Sequence, residues 1–82
     1  RRWIGINVSG YDSRDSLEKA IESIAPSSEW KLTLFEDDKA IVKVRLEDLD
    51  DWRKNFEVSN SNIESVTTSG KIRLVKQRMG FN

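Results

Sequence analysis

Cysteine and histidine are both missing from this 82-residue chain. Without cysteine there is no disulfide framework, no thiolate metal ligand and no thiol nucleophile. Without histidine the commonest general base near neutral pH is gone, and a Ser-His-Asp triad cannot be assembled. The sequence therefore predicts a domain that is not an enzyme and that uses no metal and no cofactor. Long apolar runs are missing too: nothing approaches the roughly 20 residues needed to cross a bilayer, so no membrane partner is expected. The chain opens Arg1-Arg2-Trp3 with neither a methionine nor the apolar core of a signal peptide. This reads as one domain, residues 1–82, taken from a larger protein that works inside the cell, in nucleus or cytoplasm.

Acidic residues are plentiful but not arranged for chemistry. Glu36-Asp37-Asp38 falls in a turn, and Asp48, Asp50 and Asp51 fall in a first helical turn. Neither group is the pair of carboxylates in a dry cleft that acid–base catalysis needs, and neither has the alternate spacing and central glycine of a calcium loop. Capping and helix-dipole roles account for them. Ser9-Gly10-Tyr11-Asp12 reads as a plain strand-to-helix turn, because a lone glycine is no phosphate-binding fingerprint. Asn7-Val8-Ser9 matches a glycosylation sequon by chance, inside an expected strand.

What is present suits a small globular domain: 37% hydrophobic and 34% charged residues, with three Trp and three Phe to fill a core. The formal charge is zero but unevenly spread. All 14 acids lie between Asp12 and Glu64, so residues 1–70 carry −4 and residues 71–82 carry +4. The C-terminal segment is thus suited to an anionic partner, or to the chain's own acidic helices.

Periodicity predicts the elements. Trp3 to Ser9 alternates, with Ile4, Ile6 and Val8 on one face of a strand. Asp12 is placed to cap a helix, with Asp15 three residues on and Leu17, Ala20, Ile21 and Ile24 at helical spacing; Pro26 ends it. Glu29 to Phe35 alternates again, Trp30, Leu32 and Leu34 inward and Lys31, Thr33 and Phe35 outward. Glu36 to Lys39 is a turn, and Ala40 to Leu46 a third strand with Val42, Val44 and Leu46 inward. A second helix follows, capped by Asp48, with Leu49, Trp52 and Phe56 on its apolar stripe and Asp50 placed to pair with Lys54. Ser59 to Asn62 ends it. The remainder reads as a hairpin, Ile63–Val66 and Ile72–Gln77, with Ile72 and Leu74 inward and residues 78–82 frayed.

The expected fold is α+β, a ferredoxin-like split β-α-β (β-α-β-β-α-β) with both helices on one face of an antiparallel sheet and a possible extra C-terminal hairpin. The other face would be open. Alternation sends Trp3, Asn7, Lys31, Thr33, Phe35, Ile41, Lys43, Arg45, Arg73, Val75 and Gln77 toward it. Cations interleaved with aromatics can neutralise phosphates and stack bases. Lys31, Lys43, Arg45, Arg73, Lys76 and Arg78, with Trp3 and Phe35, are therefore the candidate contacts to nucleic acid, DNA or RNA. The alternative is another protein domain, or a second copy, docking on Phe35, Ile41 and Val75 or on an edge strand.

Two families share features with the chain. The β-α-β-β-α-β order resembles the RNA-recognition motif, which stacks bases on aromatics of its first and third strands; here the third strand, Lys39 to Arg45, holds none. Residues 40–82, through Ala40-Ile41-Val42-Lys43-Val44-Arg45-Leu46, Asp51-Trp52-Arg53, Phe56-Glu57, Ser59-Asn60, Ser69-Gly70-Lys71 and Arg78-Met79-Gly80-Phe81-Asn82, resemble the N-terminal zinc domain of Mutator-like transposases and the related FLYWCH-type domains. That resemblance implies DNA binding. It also implies that Met79 and Phe81 stand where that family's Cys and His ligate zinc, so any such relative is zinc-less.

Overall fold

A computed structural model describes residues 1–59 and 62–81; Asn60, Ser61 and Asn82 lie outside the described residues, and with them part of the polar stretch after the second helix. The elements run β1 (Arg2–Val8), α1 (Arg14–Ile24), β2 (Trp30–Glu36), β3 (Lys39–Val44), a short 3-10 turn (Leu46–Asp48), α2 (Leu49–Val58), β4 (Ile63–Ser69) and α3 (Ile72–Met79). The four strands form one antiparallel sheet in the order β2-β3-β1-β4. The described residues form a small α+β domain with a four-stranded antiparallel sheet and three α-helices.

One sheet face carries the larger core. Ile4, Ile6, Val8, Leu32, Ala40, Val42, Val44 and Ile63 meet Leu17 and Ile21 of α1 and Trp52 and Phe56 of α2. Trp52 is fully buried, edge-on to Trp30 with ring centroids 6.2 Å apart and 5.7 Å from Phe56. Its indole N–H finds no acceptor among the described residues, so its contribution is apolar area and ring packing. The two helices are also tied by Asn55, whose side-chain N–H₂ donates to the carbonyl of Ile24 at 2.6 Å, satisfying one of the orphan acceptors at the end of α1.

The start of α1 differs from expectation. Ser13, not Asp12, is the cap: its extended backbone lets Oγ accept from the Ser16 N–H at 3.2 Å, while Ser16 Oγ accepts from the Ser13 N–H at 3.4 Å. Asp48 stands at the N-cap of α2 as expected, but makes no side-chain capping bond there. The residue is only 8% exposed, and its carboxylate accepts from Arg45 Nε (2.9 Å), Arg45 Nη2 (3.1 Å) and Ser27 Oγ (2.8 Å). Asp50 and Lys54 form no ion pair; among the described residues the pairs are Arg14–Glu18, Arg45–Glu47 and Arg45–Asp48. β3 ends at Val44 and the 3-10 turn begins at Leu46, which is 52% exposed rather than inward.

A bulge reverses the end of β2. Leu32 pairs with Val42 but Leu34 pairs with Ile41, leaving Thr33 as an extra residue. One inserted residue flips every later side chain to the other face. Phe35 therefore packs against the larger core, and Leu34 turns to the opposite face.

The largest correction is at the C-terminus. Ile72–Gln77 is not a strand: β4 alone runs from Ile63 to Ser69, and Ile72–Met79 is a helix. Read at helical spacing, Ile72, Val75 and Met79 recur at i, i+3 and i+7, a stripe that a strand would split between two faces. The helix ends on Gly80 in the left-handed region (φ 81°), with the Gly80 N–H donating to Gln77 O (3.3 Å) and the Phe81 N–H to Lys76 O (2.8 Å). This is a Schellman end, and Lys76 and Arg78 in its last turn suit the negative pole of the helix dipole.

Eight residues are too few for a helix to persist unaided in water, so packing must hold α3. It lies across β4 and β1, reaching β3, on the face away from α1 and α2. There Val75 and Met79 pack on Ile41, with Trp3, Leu34, Ile72 and Phe81 around them. Burying each such side chain contributes roughly 1.5–3 kcal/mol. Gly5 makes the approach possible: a Cβ there would stand 2.8 Å from Met79 Sδ, 2.9 Å from Met79 Cγ and 3.0 Å from Thr67 Cγ2.

Two outcomes are expected. Gly5→Val raises strand propensity yet overpacks the seat of Met79, at a cost of about 1–3 kcal/mol; the thermal midpoint should fall by at least several degrees. An unchanged or higher midpoint would show that Met79 does not need that space. The second concerns pH. Hydrogen bonds from Arg45 and then Ser27 hold the Asp48 carboxyl below its ordinary value. A depressed pKa stabilises the fold at pH above the unfolded-state value of about 3.9, and that stability is lost as pH falls through the folded value. Acid melting curves by circular dichroism should therefore show a midpoint that drops below about pH 4, with a smaller drop in Asp48→Asn, which starts lower at pH 7.

Candidate nucleic-acid interface

The surface of interest is the α3 side of the sheet. At its centre the face is not open, because α3 covers it: Ile41 and Val75 are both 0% exposed. Those two were to have been, with Phe35, the apolar centre of a protein-docking face. All three are instead used internally, Phe35 through the β2 bulge and the other two through α3.

The cations fare differently. Lys31 and Lys43 are directly opposite one another in the β2–β3 register. Like charges so placed repel, and neither lysine has an ion-pair partner among the described residues. Lys43 is partly accommodated by Trp3, its ammonium lying 5.6 Å from the indole centroid. Trp3 itself is half-buried against the α3 cluster with the Lys43 ammonium over its ring, so it is not a free stacking platform. Beside this pair a shallow cleft is lined by Arg1, Glu29, Trp30, Lys31, Lys43, Val44, Arg45 and Glu47, so acids and bases share it.

Arg45 does not belong with the free cations. Its guanidinium grips Asp48 at two nitrogens and lies 3.8 Å from Glu47. The Asp48 hydrogen bond raises its pKa further above the ordinary arginine value. It is a structural brace between β3 and α2.

On α3 itself, Arg73 and Gln77 are exposed and Lys76 is half-buried. Arg78 Nη1 donates to Thr67 Oγ1 at 3.0 Å and contacts the Thr68 carbonyl at 3.4 Å, so the β4 side of the helix is pinned. With about 3.6 residues per turn, Lys76 falls on the flank opposite Arg78, toward β3. None of Lys71, Arg73, Lys76 and Arg78 is in an ion pair with a carboxylate of the described residues.

Four residues of this surface escaped the sequence reading. Gly5 and Met79 set the height of α3, Lys39 places its ammonium 5.9 Å from the Phe81 ring, and Arg1 joins the cleft. The signal for the first two was Gly80: a glycine after Lys76 and Arg78 is a helix-end pattern. Met79 and Phe81 are packing residues here. Among the described residues no group of three or more His, Cys, Asp or Glu is placed to hold a metal ion, and no helix is long and apolar enough to cross a membrane. No protein-family model matches this chain, and comparison with curated proteins finds no significant relative.

Proposed function

We propose that this domain is a non-catalytic module that binds nucleic acid on the α3 side of a ferredoxin-like split β-α-β sheet. The observation that carries the reading is the clustering of uncompensated positive charge there. Lys31 and Lys43 face each other across two strands, and Lys71, Arg73, Lys76 and Arg78 follow on and around α3, with no acid after Glu64. Cations kept together without carboxylate partners among the described residues leave repulsion that a row of phosphates would relieve. Most acids lie on or beside α1 and α2 and in the Glu36–Asp38 turn, although Glu29 and Glu47 line the cleft beside Lys31 and Lys43 and Glu64 lies on β4. The absence of His and Cys from the sequence supports a binding role over a catalytic one.

Fluorescence anisotropy with labelled DNA and RNA oligonucleotides at 50 and 200 mM salt tests this. Four to six phosphate contacts should weaken binding roughly a hundred- to a thousandfold over that range. Lys31→Glu is informative because it converts the opposed lysines into a Glu–Lys pair. The variant should melt slightly higher than the parent while binding less tightly and with a shallower salt slope. Absence of any binding below the millimolar range at low salt would defeat the reading.

A further inference from the structure

We infer that α3 is a recognition helix that enters the major groove of duplex DNA, with Arg73 and Gln77 facing the bases. This rests on the nucleic-acid reading above and goes further, naming the form of nucleic acid and the residues that read it.

The first ground is relief. Among the described residues α3 is the only helix on its side of the sheet; α1 and α2 both pack on the other. A helix with side chains is about 10–12 Å across, so α3 stands as an isolated ridge on a flat base. A major groove about 12 Å wide and 8.5 Å deep admits such a ridge. Its eight residues span roughly 12 Å, the rise of three to four base pairs.

The second ground is chemistry. Ile72, Val75 and Met79 face the sheet, so the outer side of the helix carries Arg73, Leu74 and Gln77, with Arg73 and Gln77 four residues apart and both exposed and Leu74 half-buried between them. Arginine makes paired hydrogen bonds to guanine O6 and N7, and glutamine to adenine N6 and N7. The helix carries no carboxylate that would repel a phosphate. Arg78 is held by Thr67 and Thr68 and acts as a positioning residue, fixing the rotation of the helix so that position 73 and position 77 point away from the sheet.

The third ground is the flank. α3 lies over β1 and β4, and strands are spaced about 4.8 Å apart, so β3 and β2 run roughly 7 and 12 Å to one side of its axis. A phosphate ridge bordering an occupied major groove falls in that interval. Lys43 and Lys31 stand there, on the α3 side of those two strands. The same arrangement does not suit duplex RNA, whose major groove is too deep and narrow for side chains to read, nor a single strand, which has no groove for the ridge to enter.

The test is selection of bound sequences from a pool of DNA duplexes carrying 12 randomised base pairs, followed by anisotropy with the selected duplex, its separate strands and the duplex RNA of the same sequence. The expected result is a short enriched motif containing guanine and adenine, with the DNA duplex bound at least tenfold more tightly than the other forms. Methylation of guanine N7 with dimethyl sulfate should block binding. Arg73→Ala and Gln77→Ala should each weaken the selected duplex roughly five- to a hundredfold and relax the preference at one base pair, whereas Lys31→Glu weakens all duplexes alike. Both substituted side chains are exposed, and an unchanged melting curve will show that α3 is intact. Equal binding of single strands, indifference to N7 methylation, or a Arg73→Ala/Gln77→Ala double variant that binds as the parent does would each overturn the inference while leaving nucleic-acid binding in place. Failure to bind any nucleic acid would overturn both.

Discussion

The contact of Met79 with Gly5 is what the second half of this structure depends on. A strand residue without a side chain leaves a gap in the sheet surface, and the thioether of Met79 occupies it at a distance no Cβ would permit. Methionine is suited to such a gap because its unbranched chain adapts to irregular space. That close approach lets an eight-residue helix bury Val75 on Ile41 and gather Trp3, Leu34, Ile72 and Phe81 around it. The part of the sheet formed by β1 and β4 thereby becomes a layer covered on both faces, by α1 and α2 on one side and α3 on the other, while β2 stays uncovered on the α3 side. A chain of 82 residues has little core to spend, and a second cluster adds to it without lengthening the sheet.

The same contact sorts the charges. Because the apolar stripe of α3 is turned to the sheet, Arg73 and Gln77 are turned away from it, and a segment whose net charge is +4 becomes the outer surface of one side of the domain. Acidic residues are commonest on or beside α1 and α2 and in the β2–β3 turn. The zero net charge of the chain therefore hides an uneven distribution along it. Arg45 shows the difference between a cation held by its own fold and one left free: two of its nitrogens are taken by Asp48, which Ser27 also reaches, whereas Lys31 and Lys43 are set against each other.

Where local pattern and global packing agreed, the elements were readable. Ile4, Ile6 and Val8 alternate because β1 lies in the middle of the sheet with α1 and α2 below it, and Leu17, Ile21, Trp52 and Phe56 recur at helical spacing because both helices rest on that face. The misreadings have local causes. Thr33 is inserted into β2 without interrupting the alternation of the letters, so the exchange of Leu34 and Phe35 left no trace that a period-two pattern can register. Ile72-Arg73-Leu74-Val75 satisfies a strand pattern as well as a helical one, and short apolar runs of this kind are ambiguous. Gly80 was the arbiter, since its left-handed backbone closes a helix that began at Ile72.

By itself the sequence determined the α+β class, the first two helices, the β2–β3 hairpin and the basic character of the C-terminal segment, because each is set by spacing or composition within a few residues. It also excluded thiol and imidazole chemistry, since no residue of either type is present. Which cations stand free, which aromatics are consumed in packing and whether the second sheet face is open were decided only in three dimensions. Arg45 is three residues from the acid that holds it, but Gly5 and Met79 are separated by most of the chain, and Phe35 depends on one unpaired residue in a neighbouring register. Contacts of that range arise from the mutual fit of elements that are each stable only in the presence of the others.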